Sequence, residues 1–195
     1  MTTTTVPDVV RTGTIERRYA GPVDVGDGRT IVGLCAPYDR VATVSDGGPP
    51  YQEVIRAGAF RRSTKAPHRT LLNYEHRTDL GNVIGPTTEL VERDDGLYGT
   101  FRVLPGALGD HALEVIRSGA CTGLSVSAAL HPQGSRVVDG IVERNLLILA
   151  HVAVTASPAY DGAEVIALRS GDVLQAQGIR DALALNDRLR AKYGR

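Results

Sequence analysis

The 195-residue chain has no tryptophan, two phenylalanines, one methionine and two cysteines. So few large aromatic rings argue against a platform on which successive nucleic-acid bases stack. Cys35 and Cys121 stand far apart. They form no metal-ligand pair and read as two free thiols in a reducing cytoplasm. Net charge is absent as well: 22 Lys and Arg balance 22 Asp and Glu. That balance removes the long-range basic field of a dedicated nucleic-acid binder. No apolar run nears the ~18 residues a membrane-spanning helix needs. Met1-Thr2-Thr3-Thr4-Thr5-Val6-Pro7 has no basic region followed by an apolar block, so no secretory signal is expected.

What is present is a succession of short alternating segments separated by turn residues. A chain of this length is most simply one domain with one real core. Residues 1–12 read as a loose polar arm, 13–169 as the folded domain, and 170–195 as a C-terminal amphipathic helix or tail, carried by Val173, Ile179, Leu183, Leu185 and Leu189. Strands are expected over 14–19, 29–38, 52–55, 70–74, 145–155 and 165–168, with a loop over 41–50. Asp-Gly turns predict hairpins around Arg93-Asp94-Asp95-Gly96 and around Asp139-Gly140. A short helix over 112–118 is expected to stop at Gly119, with Asp110 as its N-cap. Many strands and few helices predict a mainly β fold, an antiparallel β-barrel with peripheral helices.

The chemistry concentrates in three of these segments. In Gly123-Leu124-Ser125-Val126-Ser127-Ala128 the side chains alternate with period two, so Ser125 and Ser127 share one face of a strand. A hydroxyl held there becomes a nucleophile only where a base reaches it. Two of the five histidines are placed to matter. His76 ends the apolar stretch 70–74 and opens a charged turn. His151 interrupts a run, 146–154, that belongs inside. A buried imidazole without a hydrogen-bond partner costs about 1–3 kcal/mol, so His151 demands one. Spacing alone does not separate Ser125 from Ser127, and Cys121 is a third candidate nucleophile. A metal-dependent hydrolase using His68, His76, His151 and Asp79 is a competing reading, although His68 and His76 lack the spacing of a helical His pair. A non-catalytic assembly or scaffolding protein on the same fold is another.

Five blocks, in order, make the chain resemble the prohead (capsid maturation) proteases of tailed bacteriophages of the HK97 type, which are related in fold to the herpesvirus assemblins. They are 31–36, Glu53 through Gly58-Ala59-Phe60, Tyr74-Glu75-His76 with Asn82-Val83-Ile84-Gly85, Gly119 with Gly123-Leu124-Ser125-Val126, and Val152 to Ala159. The resemblance spans roughly Thr14 to Leu168. It implies a herpesvirus-protease-like fold, with Ser125 as nucleophile and His76 as general base. His151-Val152-Ala153-Val154 is similar to the assemblin block whose histidine completes a Ser-His-His triad, whereas many phage relatives carry an acidic residue there; Asp79 is the acidic alternative in this chain. The paired arginines that follow in assemblins have no counterpart after Ser157-Pro158-Ala159-Tyr160. The resemblance further implies a serine endopeptidase that cuts the scaffolding segment of the major capsid protein, and its own ends, inside the prohead in the host cytoplasm. It needs no metal or cofactor, and involves neither nucleic acid nor membrane. The accompanying expectation is that the C-terminal helix either forms a homodimer or is a removable tail that contacts scaffold.

Overall fold

Short segments rich in β-branched residues and bounded by Gly, Pro and Asp dominate the chain, and among the described residues they fold as twelve strands. The structure, a computed structural model, describes residues 16–19, 28–45, 48–156, 160 and 165–169. The arm over 1–12 and the tail over 170–195, including the expected amphipathic helix, lie outside the described residues. In chain order the strands are β1 (Glu16–Tyr19), β2 (Thr30–Pro37), β3 (Val41–Val44), β4 (Tyr51–Ile55), β5 (Leu71–Tyr74), β6 (Val83–Arg93) and β7 (Gly96–Arg102). After helix α1 (Ala107–Arg117) follow β8 (Gly123–Leu130), β9 (Ser135–Val138), β10 (Ile141–Arg144), β11 (Leu147–Thr155) and β12 (Val165–Arg169).

Eight strands form one sheet in the order β1-β8-β11-β5-β6-β7-β2-β12, and β3-β4-β10-β9 form a smaller one. The large sheet curls into a half-barrel that brings β2 against β8. Its concave side is the core. Ile31, Leu72, Ile84, Phe101, Leu124, Val126 and Val152 pack there, all essentially inaccessible to solvent. Burying an aliphatic or Phe side chain of this size contributes roughly 1.5–3 kcal/mol. The fold is mainly β, as expected, but the sheet is mixed rather than wholly antiparallel, since β5 pairs parallel with β11 and β4 parallel with β10. Parallel neighbours require long crossovers, here of some seventy residues or more, which leave no local trace in sequence. Helix is scarce: α1 and three short 3-10 turns among the described residues. None of these helices is long and apolar enough to cross a membrane.

Two local expectations need correction. The loop over 41–50 begins as a strand, β3. Its Val41 is exposed while Ala42 and Val44 are buried, an alternation too short to stand out beside the following Gly-Pro cluster. Helix α1 starts a turn earlier than expected, with Gly106 and not Asp110 at the N-cap. Asp110 sits inside the first turn, where it pairs with Arg29. The stop at Gly119, with its φ of +73°, is as expected. So is the tight β9–β10 hairpin: Asp139 and Gly140 both have positive φ, the type I′ geometry that suits a two-residue connection.

A buried charge cluster joins the small sheet to the chain that leaves β11. Glu53 on β4 is fully buried and accepts hydrogen bonds from Arg144 Nε (2.8 Å) and from the Tyr160 hydroxyl (2.8 Å). Arg144 also donates to the Tyr51 hydroxyl (2.7 Å) and to Ser135 Oγ (2.9 Å). Removing one member of a buried ion pair leaves an uncompensated charge, which costs about 3–5 kcal/mol. Arg144→Met is therefore expected to lower the unfolding free energy by about that much. Tyr160→Phe, which deletes a single hydrogen bond to a charged group, should cost about 1.5–3 kcal/mol. Urea denaturation of the two variants checks the order. A Tyr160→Phe loss as large as that of Arg144→Met would show that the ion pair is not the main element of the cluster.

Candidate active site

The three segments singled out in the sequence are adjacent strands, β8 next to β11 and β11 next to β5. On β8, Leu124, Val126 and Ala128 face the core, so Ser125 and Ser127 occupy the opposite face; both hydroxyl-bearing residues are fully buried. Simple alternation along β11 would put His151 with Leu147 and Leu149. The register forbids it. Leu149 pairs with Ala128, but His151 pairs with Ser127, because Ala150 is bulged out between them. An extra residue re-aims every side chain after it. Val152 and Val154 therefore take the core face, while His151 and Ala153 join the face of Ser127 and Ser125. Ala153, opposite Ser125, carries only a methyl group and leaves room above the strand.

His76 enters that space from a turn. β5 ends at Tyr74, and Glu75 and His76 follow with φ of +48° and +58°. Arg77 N–H closes the turn onto the Tyr74 carbonyl at 3.0 Å. Two successive left-handed residues with side chains cost about 1–2 kcal/mol each, and such strain persists only where the surroundings over-determine it. Here the Asn73 amide donates to the Arg77 carbonyl (2.7 Å), and Glu75 N–H donates to the Val154 carbonyl (2.9 Å). The Glu75 carboxylate accepts the Thr155 hydroxyl (2.8 Å) and Ala156 N–H (2.9 Å). No glycine or asparagine at 75 or 76 signals this turn in the sequence.

The result is a row of three side chains. His76 Nε2 is hydrogen-bonded to Ser125 Oγ, and His76 Nδ1 lies 3.0 Å from His151 Nε2. The two imidazole rings are tilted by 60°, with centroids 5.1 Å apart. Both are nearly buried, at 6 % and 4 % exposure. For Nε2 to accept the serine proton, Nδ1 must carry one and donate it toward His151 Nε2, which fixes the tautomers of both rings. An imidazole placed this way can deprotonate the hydroxyl as it attacks.

The rival residues are placed differently. Ser127 Oγ is buried with no hydrogen-bond partner among the described residues. The Cys121 thiol is pushed up by burial, then lowered by a backbone hydrogen bond at Gly123 and raised by the negative charge of Glu75. It is thus mainly a neutral thiol at neutral pH and a poor nucleophile. Asp79 is exposed, and its carboxylate accepts both bonds from the Asn82 amide at 2.8 Å within its own turn. His68 sits exposed on a 3-10 turn ahead of β5, and His111 lies against Tyr74. Among the described residues no group of three or more His, Cys, Asp and Glu side chains is set to hold a metal ion.

A family model described as "Caudovirus prohead serine protease" matches residues 19–176. No curated protein matches. Among solved structures the chain is similar to the capsid assembly protease of bacteriophage T4, gp21, at 14 % identity and a TM-score of 0.44, over 68 % of this chain and all of that one.

An unpartnered buried hydroxyl destabilises a fold by about 1–3 kcal/mol. Ser127→Ala is accordingly expected to raise the unfolding free energy, by about 1 kcal/mol, in urea titrations. A loss of that size instead would mean that the hydroxyl has a partner in the folded protein.

Proposed function

The chain belongs to the caudovirus prohead serine proteases, and on that premise we propose that Ser125 is its nucleophile, His76 the general base and His151 the residue that orients the base. The protein is thus a serine protease of phage capsid maturation. What supports the three roles is one observation: His76 touches Ser125 Oγ through one ring nitrogen and His151 through the other. In the proposed reaction Ser125 Oγ bonds to the scissile carbonyl carbon while its proton passes to His76 Nε2. The proton then goes to the leaving amine as the C–N bond breaks, and an acyl-enzyme remains. Water, deprotonated by the same imidazole, then attacks the acyl carbon; the Oγ–C bond breaks, the acid product leaves, and His76 returns the proton to Ser125 Oγ.

His151 differs from the carboxylate of the familiar serine protease triad in one physical respect. A neutral imidazole accepts the Nδ1–H bond and fixes the ring, but it brings no negative charge to stabilise the imidazolium formed in the transition state. A slow enzyme follows. That is adequate for a protease that cuts each target once at high local concentration. The proposed substrate is the scaffolding segment of the major capsid protein inside the assembling prohead, in the host cytoplasm, together with the protease's own ends. The same reading carries the kinship in fold with herpesvirus assemblins, and it gives the segment from Asp172 a role in dimer or scaffold contact.

The test is co-expression with the major capsid protein, with intact-mass measurement of the capsid chain. Trimming is expected with the wild type and with Ser127→Ala, and its loss with Ser125→Ala; His76→Ala should lower it by at least about a hundredfold. Trimming that survives Ser125→Ala sinks the assignment. Loss with Ser127→Ala alone moves the nucleophile two residues along. No trimming by any form favours a non-catalytic assembly protein on this fold.

A further inference from the structure

We propose that Glu75 is a positioning residue for the His76 imidazole, an inference that rests on His76 being the base. Glu75 touches neither Ser125 nor His151 through any described hydrogen bond. Its carboxylate instead grips the end of β11, accepting the Thr155 hydroxyl and Ala156 N–H. Thr155 lies four residues after His151 in the regular stretch of that strand, on the same face. Glu75 therefore ties the turn that carries His76 to the strand that carries His151, and so fixes the distance between the two rings.

The turn needs such a tie. Glu75 and His76 are both left-handed, a conformation that neither residue prefers. Releasing either would let the backbone relax toward ordinary φ and swing the imidazole away from Ser125. The turn's opposite side is already held by Asn73 and Arg77, so the Glu75 carboxylate is the link to β11 made by a side chain. Glu75 itself is exposed, whereas Thr155 is buried. A carboxylate at the surface contributes modestly to global stability, because water competes for its hydrogen bonds. Its effect should fall on ring placement more than on folding, and a misplacement of about 1 Å can cost on the order of a hundredfold in rate.

The experiment uses the full chain and a fluorophosphonate ester, which reports the hydroxyl and its base without needing the natural substrate. Ser125 Oγ bonds to phosphorus, fluoride leaves, and the hydroxyl proton passes to His76; the adduct is read by intact mass. Glu75→Ala and Thr155→Val are each expected to lower the maximal labelling rate about 10- to 100-fold, whereas Glu75→Gln, whose amide can still accept Ala156 N–H and donate to the Thr155 hydroxyl, is expected to retain it. The half-saturating probe concentration and the thermal midpoint should stay near wild type. Thr155→Val leaves Glu75 and its backbone intact, so its agreement with Glu75→Ala isolates the link itself. A wild-type maximal rate in Glu75→Ala overturns the proposal. So does a loss that merely follows the folded fraction while Thr155→Val labels normally. His76→Ala labelling as fast as wild type, or no labelling of the wild type, overturns the base assignment and this proposal together. A rate that depends on His76 but not on Glu75 overturns this proposal alone.

Discussion

The pairing of β11 with β8 on one edge and β5 on the other sets the geometry of the candidate site. It places a strand starting at residue 71, one starting at 123 and one starting at 147 side by side, and every candidate site residue hangs from one of them. Backbone hydrogen bonds on both edges of β11 leave its register no freedom, because a one-residue slip would carry Val152 and Val154 onto the serine face and put His151 into the apolar core. The bulge at Ala150 works within that constraint. It lets β11 keep Leu147 and Leu149 on the core side and still turn His151 toward the serine face.

A polar face this deeply buried must satisfy its own hydrogen bonds. The two imidazoles and Ser125 do so largely with one another, which gives His151 the partner that its burial demands. The turn at Glu75 and His76 extends the same logic to the backbone. Left-handed φ at two ordinary residues stores strain, and four hydrogen bonds from Asn73, Glu75, Thr155 and Ala156 hold it. Those bonds keep the imidazole in place against a backbone that would otherwise relax. The Glu53–Arg144 cluster, by contrast, stabilises the frame: it locks the small sheet and the start of the β11–β12 connection through Tyr160.

The strands, the two Asp-Gly hairpins and the stop at Gly119 were readable because period-two alternation and turn residues act over a few neighbours. The short strand at 41–44 and the start of α1 were not, since their signals are weak beside the loops that flank them. The odd behaviour of His151, an imidazole inside an apolar run, was legible too, as was the presence of a serine pair on one strand face. Resemblance, not spacing, directed attention to Ser125 over Ser127.

The mainly β character, the three segments with candidate site residues and the need of His151 for a partner all follow from the residues alone. Each follows from local pattern and from the cost of burying polar atoms. That β5 and β11 run parallel, that Ala150 bulges, and that His76 reaches the serine face from a left-handed turn became visible only in the folded chain. Those outcomes depend on hydrogen bonds between residues some eighty positions apart, and a sheet's register and face are fixed only when its strands meet.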